Sequence, residues 1–220
     1  MNSIKDSINL IRKDLPDKVS LIAVSKTRNL DEMEEAYDAG VRDFGENKVQ
    51  ELVPKIENFH KDVRWHLIGH LQTNKVKYIV GKVFLIHSLD SLKLLYELEK
   101  RYSRAGLIAN TLVEINIAEE ESKTGILLKD VSELLNACEE CKNVRIKGLM
   151  GVMPKGEEET VRRYFKKLKS IWEDLKTKDF KNIEMKYLSM GMTSDYKIAV
   201  EEGTNMIRIG EGIFGKRNYN

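Results

Sequence analysis

The feature that most restricts this chain is a rhythm. Short β-branched or mixed apolar runs alternate with longer amphipathic stretches throughout, and strands never gather in one block with helices in another. Runs at 19–24, 42–44, 63–68, 83–87, 111–117, 144–150, 184–188 and 206–209 read as eight strands. Between them lie helical patterns, the clearest at 158–178, where Val161, Phe165, Leu168, Trp172 and Leu175 recur at the spacing of one buried face among Lys and Arg. Strands alternating with helices mean a parallel sheet. Eight βα units in 220 residues could form an open doubly wound sheet or a closed barrel. The parallel (β/α)8 TIM barrel is favoured, with short connections, because such barrels need roughly 200 residues or more. An amphipathic pattern with Ile4, Ile8, Ile11 and Leu15 on one face adds an N-terminal helix at 3–14, expected to cover one end of the barrel. No Pro-, Gly- or Ser-rich linker divides the chain, so 1–220 reads as a single domain.

Charge narrows the partners. Lys and Arg number 37 against 35 Asp and Glu, and the basic residues are interleaved with acids, which disfavours nucleic acid as the main partner. Asp6 and Asp14 interrupt the N-terminal pattern, so it lacks the apolar core of a secretory signal. No apolar run reaches the ~18 residues of a membrane helix. The expectation is a cytoplasmic protein with no membrane partner.

In a parallel βα barrel the residues just after each strand gather on one rim, where sites are built. Lys26 stands out there, because it closes the uncharged run 19–25 at the exit of the first strand. One reading is a solvated lysine. The other is an amine whose ammonium form is desolvated by an apolar rim, so that the neutral form can attack an aldehyde. The later loops favour the second. Gly210, Glu211 and Gly212 open a G-x-G-x-x-G pattern after the last strand, yet only five residues follow Gly215, too few for a dinucleotide-binding unit. Those glycines still let backbone N–H groups approach an oxyanion closely. With Ser189, Gly191 and Thr193 they make a phosphate cradle after strands seven and eight, where barrels commonly bind phosphate. A lysine facing such a cradle suggests a phosphorylated aldehyde or ketone held as a Schiff base, and pyridoxal 5′-phosphate fits.

The motifs carry the reading further. Residues 23–27 (AVSKT), 44–51 (FGENKVQE), 65–75 (WHLIGHLQTNK), 86–90 (IHSLD), 147–150 (KGLM), 188–195 (LSMGMTSD), and 207–210 with 213–215 resemble the pyridoxal phosphate homeostasis family, itself similar to the barrel domain of alanine racemase. The resemblance spans nearly the whole chain. It implies a Schiff base on Lys26, and a phosphate held by the turn of Ser189, Met190, Gly191, Met192 and Thr193 with that of Gly210, Glu211 and Gly212. It also implies that Arg208 lies near the pyridine nitrogen, which an arginine would leave largely unprotonated. Thr193 stands where the family often has Ser, and Glu211 where a small hydroxyl residue is common. Asn47 is either a contact to the cofactor ring or the N-cap of the helix it precedes, with Gln50 three residues on.

The function implied is cofactor binding and vitamin B6 homeostasis, by a monomer that delivers pyridoxal phosphate to apo-enzymes and has no strong turnover. The alternative is a racemase-like or class I aldolase-like enzyme. A racemase needs a base on the far face of the cofactor, and Tyr196 is the tyrosine nearest the rim. Two motifs are set aside. Cys138 and Cys141 fall late in a helical pattern with two glutamates between them, which points to inert thiols. His66 and His70 flank a strand segment and would lie about 13 Å apart, too far to share a metal.

Overall fold

The computed structural model describes residues 3–120 and 123–216. Eight parallel strands close into one barrel in chain order. They are β1 (Ser20–Val24), β2 (Asp43–Glu46), β3 (Arg64–Leu67), β4 (Leu85–Leu89), β5 (Ala109–Ile115), β6 (Val144–Gly151), β7 (Ile183–Ser189) and β8 (Met206–Ile209). Every strand expected from the sequence is present, within a few residues of its expected bounds. Closure is made by β8 against β1, in the register Ser20↔Met206, Leu21↔Ile207, Ile22↔Arg208, Ala23↔Ile209. That register sets the exit of β1, with Lys26 just beyond it, beside the exit of β8.

The helices are α1 (Ile4–Lys13), α2 (Leu30–Asp38), α3 (Val49–Asn58), α4 (Leu92–Ala105), α5 (Val131–Glu139), α6 (Glu158–Lys176), α7 (Tyr196–Glu201) and the single turn α8 (Glu211–Phe214). The apolar stripe read on α6 is its buried face: Val161, Phe165, Leu168, Trp172 and Leu175 all pack inward. Each such side chain contributes about 1.5–3 kcal/mol on burial. Trp172 also donates its indole N–H to the Tyr187 carbonyl at 3.1 Å, which pins α6 to β7. The crossover from β3 to β4 departs from the rhythm, being carried by a 3₁₀ segment, Thr73–Tyr78, that buries Val76.

The N-terminal helix does not cover a barrel end as expected. α1 packs against α2 and α8. Arg12 donates to the carbonyls of Ala39 and Gly40 just past the end of α2, at 2.5 and 2.9 Å, where a cation meets the negative end of the helix dipole. Asp14 pairs with Lys197 of α7. The physical reason is length, since α8 is one turn and leaves the outside of β8 and β1 short of a covering helix. α1 supplies it, burying Ile8 and Ile11.

Two apolar layers result. The larger lies between barrel and helices. The smaller, Ile22, Leu85, Leu112, Met150 and Met206, plugs the barrel itself. Around that plug the barrel also buries His66, His87, Glu114 and Arg208, where such barrels are mostly filled by branched apolar residues.

Candidate functional site at the C-terminal rim

At the exit of β1, two side chains of α3 hold the backbone on either side of Lys26. Lys55 Nζ donates to the Ser25 carbonyl at 2.8 Å, and the Glu51 carboxylate accepts from the Thr27 N–H at 2.8 Å. Glu51 and Lys55 are four apart, so one helix face carries both. Thr27 needs the support, since its φ of +65° is a left-handed conformation that β-branched residues rarely adopt. Beneath them Glu46 is wholly buried and accepts from Ser25 Oγ and Lys55 Nζ, both at 2.7 Å. Burial pushes the Glu46 carboxyl up, against the pull of Lys55 and Ser25. Sequence reading passed over this clamp, although the i, i+4 spacing of Glu51 and Lys55 was a visible signal.

Lys26, half-buried, lines a cleft of about 420 Å³ together with Val24, Arg28, Gly210, Glu211 and Gly215. The residues expected to cooperate across the β1–β8 seam are therefore neighbours in space. The loop after β7 joins them through the Gly212 N–H, which donates to Thr193 Oγ1 at 3.1 Å. Gly191 has φ +96°, and a Cβ there would stand 2.7 Å from the Ala199 Cβ, so only glycine suits the position. In the same loop Met192 N–H is capped by Asp195 Oδ1 at 2.6 Å, and Met190 N–H bonds the Met206 carbonyl. Glu211 is exposed at the cleft, whereas Ser189 and Met190 are fully buried.

Arg208 lies inside the barrel. It donates to Ser189 Oγ at 2.6 Å and to the Gly151 carbonyl at 3.0 Å. Burial lowers its guanidinium to about 10, against the opposing charges of Glu114 and Asp195, so it remains a cation at neutral pH. Burial also raises the carboxyls of Glu114 and Asp195. Glu114 accepts from Thr124 Oγ1 through one oxygen while its other is buried with no partner among the described residues. The hydroxyl of Ser189 is turned inward, toward Arg208 and His87.

Asn47 does not cap α3. The N-cap is Lys48, with no side-chain cap bond, because the helix starts one residue later than the N-cap reading requires. Asn47 Oδ1 is buried without a hydrogen-bond partner among the described residues. Cys138 and Cys141 are buried free thiols, pushed up to about 12 and about 11, chiefly by burial. His66 is buried in β3, while His70 sits at the rim with Nδ1 2.9 Å from Asp90. No group of three metal-ligating side chains occurs among the described residues. Nor is any described helix long and apolar enough to cross a membrane.

The fold is thus a closed parallel βα barrel with a lysine just past its first strand and glycine-bearing turns after its last two. The family alanine racemase, N-terminal domain, matches residues 1–218. The pyridoxal phosphate homeostasis proteins of Aquifex aeolicus and Escherichia coli K12 are 42% identical over 201 residues and 38% over 210. Those alignments cover 90% and 93% of this chain, and 87% and 88% of the relatives. Among solved structures, PipY of Synechococcus elongatus PCC7942 without PLP is 33% identical with a TM-score of 0.91, covering 97% of this chain and all of that one. PipY with PLP bound superposes with a TM-score of 0.89. The chain belongs to the alanine racemase N-terminal domain family, among the pyridoxal phosphate homeostasis proteins.

Proposed function

We propose that this protein binds pyridoxal 5′-phosphate as a Schiff base on Lys26 and serves its homeostasis in the cytoplasm, as a single-domain monomer that passes the cofactor to apo-enzymes without strong turnover of its own. The observation that carries this is the shared cleft: Lys26, Gly210 and Glu211 line one cavity, and Gly212 of the same turn is bonded to Thr193 of the neighbouring one. The residues fit the group. A cleft of about 420 Å³ is of the size that holds small cofactors. Cβ atoms at Gly191 and Gly212 would crowd Ala199 and Ile209 at 2.7 and 2.9 Å, so the two turns can approach each other this closely only with glycine at these positions. Asn47 Oδ1 is an unpartnered acceptor at the same rim. The names of the relatives and the PLP-bound state of PipY support the same ligand.

When bound, the cofactor supplies an aldehyde for imine formation and a ring that can withdraw electrons. This chain's residues divide the work of holding it. Glu51 and Lys55 fix the backbone around Lys26, and the turns of Ser189, Met190, Gly191, Met192, Thr193 and Gly210, Glu211, Gly212 would hold the phosphate. Asn47 would contact the ring, and Arg208, a permanent donor, would meet the ring nitrogen and leave it unprotonated. Borohydride treatment of the holo-protein followed by peptide mapping is expected to put the label on Lys26 alone. Label elsewhere, or none, overturns the reading. Rapid α-proton exchange of any amino acid with the holo-protein in deuterium oxide, abolished by Lys26→Ala, would make the protein an enzyme.

A further inference from the structure

A chain of buried side chains leads from Arg208 to the opposite face of the barrel. Ser189 Oγ, which accepts from Arg208, lies 3.1 Å from His87 Nδ1. His87 Nε2 lies 3.0 Å from His66 Nδ1, and His66 Nε2 lies 3.0 Å from Asp43 Oδ1. Asp43 and Arg64 are the first residues of β2 and β3, at the end of the barrel remote from Lys26. Arg64 grips Asp43 through both guanidinium arms. Ser189, His87 and His66 are each 0% exposed, so the chain is sealed from water along its length.

The chemistry of the ends dictates every proton between them. Arg208 can only donate, so Ser189 Oγ accepts from it; with both rings neutral, the Asp43 carboxylate requires the proton of His66 on Nε2, and that order leaves His87 Nδ1 to accept the Ser189 hydroxyl proton. His87 is then protonated on Nε2 and donates to His66 Nδ1, and His66 is protonated on Nε2 and donates to the Asp43 carboxylate. All four bonds run the same way. Reversing any one leaves two acceptors or two donors face to face in a dry interior, at the cost of an unmade buried hydrogen bond.

We propose that Asp43, His66 and His87 are positioning residues that form a locked, one-way hydrogen-bond relay, which fixes Ser189 as the acceptor holding the Arg208 guanidinium. The alternative, a relay that moves protons from the rim to the far face, requires Asp43 to accept a proton. Burial alone would raise its carboxyl, but the hydrogen bonds of Arg64 and His66 and the charge of Arg64 hold it at about 2, so at neutral pH it stays a carboxylate and the relay stays set. Burial likewise disfavours the imidazolium forms. It lowers His66 against the pull of Asp43, and it lowers His87 further with the charge of Arg208 added. The charged groups facing the two rings are thus Asp43 from β2, Arg64 from β3 and Arg208 from β8, with Glu114 of β5 facing Arg208 in turn.

What Arg208 does to a cofactor rests on the function proposed above; the relay does not, and the test separates the two. In the ligand-free, full-length protein, nitrogen-15 spectra of the imidazoles are expected to show His66 and His87 both neutral and both protonated on Nε2 from pH 5.5 to 8.5. Titration of either ring in that range, or an Nδ1-protonated form of either, overturns the proposal without any variant. Asp43→Leu removes the terminal acceptor and is expected to speed solvent exchange of the Arg208 guanidinium protons by about tenfold, the equivalent of one lost hydrogen bond. Asp43→Asn also loses the charge that Arg64 grips but keeps an acceptor for His66, and is expected to retain both the tautomers and slow exchange. Unchanged exchange in Asp43→Leu, or equal loss in both variants, overturns the relay. If Asp43→Leu does not fold, His87→Leu against His87→Gln makes the same comparison, since the glutamine amide can accept from Ser189 and donate to His66. In the pyridoxal phosphate-loaded protein, Asp43→Leu is expected to shift the absorption of the bound cofactor while borohydride still labels Lys26. If nothing labels Lys26 but the tautomers are as stated, the functional reading fails and the relay stands.

Discussion

Two buried ionic arrangements flank the cleft, and they are built on opposite sides of the sheet. Around Lys26 the charges lie outside the barrel, against α3: Glu46 and Lys55 neutralise each other at 2.7 Å, and Lys55 and Glu51 spend their remaining capacity on the backbone. Around Arg208 the charges lie inside the barrel. The guanidinium bonds a hydroxyl and a carbonyl, and the carboxylates that offset it, Glu114 and Asp195, are partnered with Thr124 and the Met192 N–H. The first arrangement is closed and acts as a clamp. The second keeps its opposing charges apart, with one Glu114 oxygen unpartnered among the described residues. Ion pairs that satisfy each other fix geometry, and charges held apart leave a field into which something else can bind.

The sharpest way to break this contrast is to open the clamp. Lys55→Met leaves Glu46 charged and uncompensated in a dry site, and is expected to cost about 3–5 kcal/mol of stability by urea unfolding. The double variant with Glu46→Gln should recover most of that loss. If Lys55→Met costs no more than a surface substitution, the pair is not the closed unit described.

Next in size is the cradle. Gly191→Val forces a β-branched residue to φ +96° with its Cβ against Ala199, and is expected to weaken pyridoxal phosphate binding by more than about tenfold, an effect the size of ordinary backbone strain. Unchanged affinity by fluorescence titration would show that the phosphate lies elsewhere.

A smaller effect sharpens the electrostatic side. Because burial raises the Glu114 carboxyl in the folded state, the native protein binds more protons there than the unfolded chain does. Its contribution to stability therefore falls as pH rises from the ordinary carboxylate range through the raised value. Asp43, held at about 2, works in the other direction: its stabilisation is present above the ordinary carboxylate range and is lost as pH falls toward 2. Glu114→Gln is thus expected to gain stability relative to the parent between pH 4 and pH 7. A gain that shrinks with rising pH would contradict the assignment.

The smallest effect is expected at Thr27. Glycine relieves the left-handed strain of about 1–2 kcal/mol but loses chain entropy of about 0.5–1 kcal/mol, so Thr27→Gly should change stability by no more than about 1.5 kcal/mol, in the stabilising direction. Because the substitution keeps the N–H that Glu51 accepts, a loss larger than that by calorimetry would mean that the threonine side chain itself belongs to the clamp.

What could be read from the chain and what could not divide along the same line. All eight strands were legible because a strand is a local pattern, and the stripe on α6 was legible for the same reason. Lys26 and the glycine turns were legible as rim residues because each follows a recognisable strand, and in a parallel barrel strand ends share a rim, whereas Arg208 was singled out only by the family resemblance. The place of α1 was not, because it depends on α8 being a single turn. The capping reading of Asn47 failed on one residue of helix onset. Asp43, His66 and His87 escaped notice as a group because no periodicity links β2, β3, β4 and β7.

The sequence by itself determined the alternation of strand and helix, hence a parallel barrel, and which residue types would stand at its rim, since both follow from patterns a few residues long. Only the tertiary structure decided which of those residues meet. Pairing β8 to β1 in one register put Lys26 beside Gly210, and barrel closure brought Ser189 to His87 across 102 residues of chain. Hydrogen-bond partners that far apart are chosen by the register of the whole sheet, and no local stretch of sequence holds that information.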